Sequence, residues 1–268
     1  MKKLLAILVL LTFPSPAFAA LGSNLVACWD FNESSGDAAD NLAVHTLTNN
    51  GSTSFVSALL GNGADLERGS TQNFSETDTV GTSFTSDFSV SFWFKPESEQ
   101  EGGWVSKYGS TGAQRAWAIA RGNVLGDYRP TARVVDSGGN ETEVQWASIT
   151  INNATWYHLV FVYTAAAHTW DFYLDGSAQL QKDAVRTDVR DTTESFEVGG
   201  NATLGFQDGI VDITAIWSRA ITSTEVTSLY NTGTGIACAT INSTGGSNKT
   251  PDFIFWSSNG FVPYLWLV

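Results

Sequence analysis

Short apolar or alternating runs, separated by Gly, Asn, Asp and Ser, recur along the chain, and no long helical period interrupts them. Phe88, Val90, Phe92 and Phe94 alternate with Ser89, Ser91 and Trp93, which predicts a strand with one face in a core. Leu25 to Phe31 opens the series, and Trp156 to Tyr163 is a nearly continuous apolar strand. Further strands are expected at Trp104 to Tyr108, Ala116 to Arg121, Ala132 to Asp136, Glu143 to Ile149, Trp170 to Leu174, Ser195 to Val198 and Gly209 to Trp217. Their number and spacing predict an all-β chain of two packed antiparallel sheets. Asp175-Gly176 after the alternating Trp170, Phe172 and Leu174 is a hairpin signal, and Gly138-Gly139-Asn140 reads the same way.

One short helix is expected near the end of the chain. Thr222 and Glu225 have the spacing of a capping box, Val226, Leu229 and Tyr230 follow at helical spacing, and Asn231 and Gly233 supply a stop.

The two ends read differently from the middle. Lys2 and Lys3, the apolar run Leu4 to Leu11 and the small residues of Ala17-Phe18-Ala19 predict a cleaved signal peptide over residues 1–19. That run is too short to span a bilayer and meets Pro14 and Pro16. The protein is therefore expected to be secreted, periplasmic or at the cell surface. Residues 20–238 suit a single sandwich. Residues 239–268 read as a Ser/Thr/Asn/Gly linker followed by an uncharged aromatic tail with Phe253, Phe255, Trp256, Phe261, Tyr264 and Trp266. Gly260 and Pro263 break that tail, so no membrane span is expected in the mature protein; a protein partner would give the aromatic side chains a role.

Charge narrows the partners. Fourteen basic against 27 acidic residues give a net charge of −13. Nucleic acid and anionic membranes are recognised by Lys/Arg stripes that displace counterions, so neither is expected as a partner. The two cysteines, Cys28 and Cys238, flank the sandwich in a chain bound for an oxidising compartment, which predicts a disulfide between them.

Six blocks in order resemble the laminin-G-like, concanavalin-A-like jelly-roll domains of bacterial secreted proteins. They are Leu25-Val26-Ala27-Cys28-Trp29-Asp30-Phe31-Asn32-Glu33-Ser34-Ser35-Gly36 with Asp40 soon after, Gly61 to Leu66, Phe88 to Pro96, Thr155 to Tyr163, Phe172-Tyr173-Leu174-Asp175-Gly176, and Val198 to Asn201 leading to Asp208–Asp212 and Trp217–Ile221. The resemblance implies a two-sheet antiparallel jelly-roll sandwich. The family includes sugar-binding modules, adhesion domains and uncharacterised surface proteins, so it implies a class of function and no ligand.

The resemblance also implies a structural calcium between the first and last strands. By motif position Glu33 and Asp212 match its side-chain ligands, although Ile213 and Ala215 stand where an acid and an arginine are usual. Sugar sites join an aromatic plate to polar groups, and Trp104, Trp117, Tyr128 and Trp146, with Arg121 nearby, fall in the variable middle of the chain. Trp29, Trp93, Trp156, Trp170 and Trp217 belong to the strand motifs and are expected in the core.

Catalysis finds little support. The carboxylate pattern of related glucanases is missing, and Glu97-Ser98-Glu99-Gln100-Glu101 and Glu141-Thr142-Glu143 read as solvated acids. None of His45, His158 and His168 accompanies a nucleophile motif, and His158 reads as structural. The expectation is a noncatalytic binder of carbohydrate or surface glycan. The alternatives are an adhesion or structural module that binds protein and a degenerate glycoside hydrolase.

Overall fold

A computed structural model describes residues 21–124 and 127–243. The expected signal peptide and the aromatic tail lie outside the described residues.

Strands form where the alternation places large apolar side chains on one face. The first part of the chain supplies β1 (Leu25–Trp29), β2 (Ala38–Ala39), β3 (Thr46–Asn50), β4 (Ser54–Ser57), β5 (Asn62–Leu66) and β6 (Asn73–Glu76). The middle supplies the long strands β7 (Phe88–Pro96), β8 (Gly102–Tyr108), β9 (Arg115–Val124), β10 (Asp127–Val135) and β11 (Glu141–Gln145). Then come β12 (Tyr157–Thr164), β13 (Thr169–Leu174), β14 (Ser177–Ala178) and β15 (Lys182–Asp183). The series closes with β16 (Phe196–Val198), β17 (Gly200–Asn201), β18 (Gly205–Phe206) and β19 (Gly209–Trp217).

Two antiparallel sheets result. The first runs β14-β13-β12-β7-β19-β5-β4, with β1 on β19 and β15 on β13; the second runs β11-β10-β9-β8-β16-β6-β3-β2. Between them lies the main core, with Trp29, Phe74, Phe88, Phe92, Phe161 and Trp170 all fully buried. Asp175 and Gly176 turn β13 into β14 with φ of 51° and 74°, as the hairpin signal predicts.

The first sheet has a second apolar layer on its outer face. Trp93, Val160, Val162, Ala215 and Trp217 point away from the main core and are covered by the C-terminal segment. That segment contains α1 (Ser223–Tyr230) and α2 (Cys238–Ser243). At the start of α1 the Thr222 hydroxyl accepts the Glu225 amide at 3.3 Å, and Glu225 accepts the Thr222 amide at 2.7 Å. Asn231 ends it in the left-handed conformation.

Two short helices thus stand where one is expected, and the boundary at residue 238 is corrected. Cys238 begins α2, and Ile241 is fully buried in the outer layer, so the packed domain extends to Ser243. Cys28 on β1 and Cys238 are bonded, with a Cα–Cα distance of 5.5 Å, as expected.

Candidate functional site

The tryptophans expected to form a sugar platform lie in the core, which corrects that assignment. On β8, the Trp104 ring packs 5.7 Å from Phe92 and 6.0 Å from Phe94. On β9, Trp117 shares the inward face with Ile119 and packs 4.9 Å from Phe88. Trp146, just beyond β11, lies 5.0 Å from Phe172, and its indole N–H donates to the Leu180 carbonyl at 2.7 Å. None of the three is more than 2% exposed. In a sandwich both the variable middle of the chain and its motif strands contribute one face to the core, so chain position does not distinguish a plate from a core ring.

Arg121 and Tyr128 are brought together. Arg121 is buried, and its guanidinium lies 5.5 Å from the centre of the half-buried Tyr128 ring. Arg121 donates to the carbonyls of Ser98 at 2.8 Å and Ile151 at 2.6 Å, so it ties two loops together, and burial lowers its pKa.

Of the calcium candidates, Asp212 lies on β19, which pairs with β1, and Glu33 lies four residues beyond the end of β1. A bulge interrupts the pairing of β19 with β7 between Asp212 and Ala215, and Ile213 there takes φ of 42°, an unusual conformation for a β-branched residue. The Asp212 carboxylate is wholly buried and accepts the amides of Leu60 at 3.0 Å and Ile213 at 2.8 Å. Burial pushes its pKa up to about 7 against those amides, and the Asp30 charge raises it further. Asp30 is itself raised, by burial first and then by Glu33, while its carboxylate accepts the Cys238 amide at 2.9 Å.

Glu33 spends one oxygen on the Ala39 amide at 2.8 Å; the other, Oε2, is buried without a partner. The repulsion runs from Glu33 to Asp30 and from Asp30 to Asp212, and carboxylate oxygen is the donor chemistry that calcium takes, but the oxygens of the three groups do not all come within 4.8 Å of one another. Asp30 was not singled out in the sequence; its signal was its place in the opening block, three residues before Glu33. Among the described residues a tighter trio, Asp65, Glu67 and Glu97, places one oxygen of each within 4.8 Å of the others, but Glu67 and Glu97 are exposed.

The outer face of the second sheet is polar. Directly opposed residues run across it as Ser75, Glu197, Ser106, Ala118, Arg133 and Glu143. Beside this row the Tyr108 ring lies under two guanidinium groups, 4.9 Å from Arg115 and 5.7 Å from Arg133. Its hydroxyl donates to Glu141 at 2.7 Å, and Arg133 donates to Glu143 at 2.6 Å. Burial and the acceptor Glu141 push the Tyr108 pKa up to about 12. The expected solvated acids Glu141 and Glu143 are thus strand residues held by arginines, whereas Glu97, Glu99 and Glu101 are exposed in a loop as expected.

Toward β16 this face is roofed by the β17–β18 hairpin. The Asn201 amide group donates to the Tyr108 carbonyl at 3.0 Å and to the Glu197 carboxylate, and Leu204 packs on Tyr108 and Ala118. Burial pushes the Glu197 pKa up to about 7, opposed by Asn201 and reinforced by Glu194.

Comparison with known proteins identifies the architecture. Residues 68–227 match the concanavalin A-like lectin/glucanases superfamily. The chain belongs to that superfamily. Among solved structures it is similar to the binding domain of Paraclostridial Mosquitocidal Protein 1 (19% identity, TM-score 0.63), covering 80% of this chain and 53% of that one. Domain 4 of AbnA, an extracellular arabinanase of Geobacillus stearothermophilus solved with arabinotriose, is similar at 19% identity and TM-score 0.61, covering 77% of this chain and 98% of that one. The ligand-binding domain of botulinum neurotoxin serotype D, solved with N-acetylneuraminic acid, matches at 12% identity and TM-score 0.61, covering 80% of this chain and 52% of that one. The chain thus spans about half the length of the two toxin domains. No curated protein sequence matches it.

Proposed function

We propose that this protein is a noncatalytic, exported carbohydrate-binding module that reads glycans on the outer face of its second sheet. The observation that carries this reading is the asymmetry of the two sheets. The outer face of the first is sealed by the helical segment, whereas the second presents Arg115, Arg133, Glu141 and Glu143 in a fixed array around Tyr108. Cross-bonded guanidinium and carboxylate groups on neighbouring strands supply donors and acceptors that match sugar hydroxyls with little ordering cost on binding. Arabinotriose and N-acetylneuraminic acid on two domains of the same fold support a sugar ligand class. Tyr128, partly exposed near the start of β10 and braced by Arg121, is a second contact point.

Glu141 and Glu143 serve here as anchors for arginines, not as an acid and nucleophile facing each other across a sugar. A structural calcium with Glu33 and Asp212 among its ligands belongs to the same reading: it would offset the repulsion among the nearby acids and fix β1 against β19. The disulfide suits the exported setting.

The test is a glycan array probed with the full chain in calcium and then in chelator, followed by titration of the best hit against Arg133→Ala. A loss of tenfold or more in affinity for the variant, with unchanged melting, is expected. Equal affinity would move the site off this face, and an array silent in both conditions would favour a protein partner. For the metal, calcium is expected to raise the melting temperature of the wild type and not of Asp212→Asn.

A further inference from the structure

The edge of the sandwich holds a groove separate from the outer face. Between β3 in the second sheet and β4 in the first, the chain turns through Gly51 and Ser52, both at positive φ, and passes from one sheet to the other. This turn and the Ser34–Asp37 loop enclose an open groove of about 610 Å³, within the range of small-ligand sites.

Its walls are fixed. The Asn49 side-chain amide donates to the carbonyls of Gly36 and Thr53, both at 3.0 Å, and its oxygen accepts the Thr53 amide at 2.8 Å. The Asn49 backbone amide donates to Asp37 Oδ1 at 2.9 Å. One asparagine thus locks the loop to the turn.

Inside lie the parts of a saccharide site. Phe55 is half-buried, backed by Phe74 at 5.9 Å, and lines the groove as an apolar plate. Thr53 lines the groove and is 4% exposed, and its buried hydroxyl has no hydrogen-bond partner among the described residues. A buried hydroxyl left unpaired carries a desolvation penalty, which a ligand hydroxyl reaching it would relieve. Asp37 is exposed and, among the described residues, accepts through Oδ1, which leaves Oδ2 for a second hydroxyl. Among the described residues no Lys or Arg lines the groove, and the charge there is that of the Asp37 carboxylate, which disfavours an anionic sugar.

We propose that this edge groove is a second saccharide site, which takes one neutral sugar residue. Phe55 meets the apolar ring face, and the Thr53 hydroxyl and the Asp37 carboxylate meet ring hydroxyls. The proposal rests on the carbohydrate reading above but uses none of the residues of the outer face.

The test is 15N-resolved NMR titration of the full chain with the methyl glycosides of glucose, galactose, mannose and arabinose. Wild type, Thr53→Val, Asp37→Asn and Arg133→Ala are compared, with Thr53→Ser keeping the hydroxyl. Saturable shifts of the amides of residues 34–37 and 49–55 are expected for at least one glycoside. Affinity should weaken about tenfold in Thr53→Val and Asp37→Asn, and it should be retained in Thr53→Ser and Arg133→Ala. Saturable shifts confined to the second-sheet face would overturn the groove and leave the carbohydrate reading standing. Silence from all four glycosides at the groove, on an array that does register a larger glycan, would also overturn it; an array silent throughout would remove the wider reading as well.

Discussion

His158 Nε2 and Ser91 Oγ lie 2.9 Å apart on neighbouring strands of the first sheet, beneath the ring of Tyr230 and beside that of Trp93. The other ring nitrogen, Nδ1, is buried without a partner, and Asp175 accepts the backbone amide of His158 and not the ring. Burial alone drives the imidazole pKa down to about 3, so the ring is neutral at physiological pH.

This fixes the sign of an acid effect. Unfolding releases the ring to an ordinary pKa of about 6.5, so between that value and 3 the unfolded chain binds a proton that the native state refuses. Stability should fall as pH drops from about 6.5 toward 3, by up to about 1.4 kcal/mol per pH unit from this residue. Urea midpoints at pH 7, 5 and 4 for wild type and His158→Gln provide the measurement. The variant should lose the steeper part of the acid slope, and parallel profiles would contradict the assignment.

Glu197 acts in the opposite direction. Burial holds its native pKa at about 7, above the ordinary 4.5, so its contribution is fully present below 4.5 and is lost as pH rises through 7. Glu197→Gln keeps an acceptor for Asn201 and removes the buried charge. It should stabilise the protein at pH 8 by on the order of 2 kcal/mol and change little at pH 5. Equal effects at both pH values would show that the carboxylate ionises normally.

The correction to the predicted tryptophans is itself testable. Trp117 is fully buried against Phe88, so Trp117→Ala should cost about 3–5 kcal/mol, while Trp117→Phe costs less. Chemical unfolding would reveal this. A Trp117→Ala variant that melts like wild type but loses glycan binding would restore the ring to the site.

The cap on α1 gives a smaller effect. Thr222→Ala removes the acceptor for the Glu225 amide and should cost about 1 kcal/mol. Because α1 covers the first sheet, faster amide exchange at Val226 and Leu229 should accompany that loss; exchange unchanged from wild type would mean that packing alone holds the helix.

What the sequence disclosed follows from how strongly each element is patterned. Phe88 to Phe94 and Trp156 to Tyr163 carry large apolar side chains at strand spacing, and they became β7 and β12 at the centre of the first sheet. Thr222 and Glu225 announced α1 because a capping box is a local device. By contrast β3, which reads Thr-Leu-Thr-Asn-Asn and lies next to the short edge strand β2, and the edge strand β4, which reads Ser-Phe-Val-Ser, carry almost no apolar signal, and the groove between them was invisible. The polar face of the second sheet was hidden for a related reason. Tyr108, Arg133 and Glu141 become neighbours only through strand pairing, which no short window of sequence encodes.

The bond between Cys28 and Cys238 has a mechanical consequence. It joins the first strand to the last helix across a separation of 210 residues. Tension applied along the polypeptide from either side enters at β1 or α2 and crosses directly through the sulfur atoms, so nearly every strand of both sheets lies outside the line of force. Reduction would place them in it and release roughly 700 Å of extensible chain. Oxidised, the domain behaves as a short inextensible link whose binding faces keep their shape while the polypeptide is pulled.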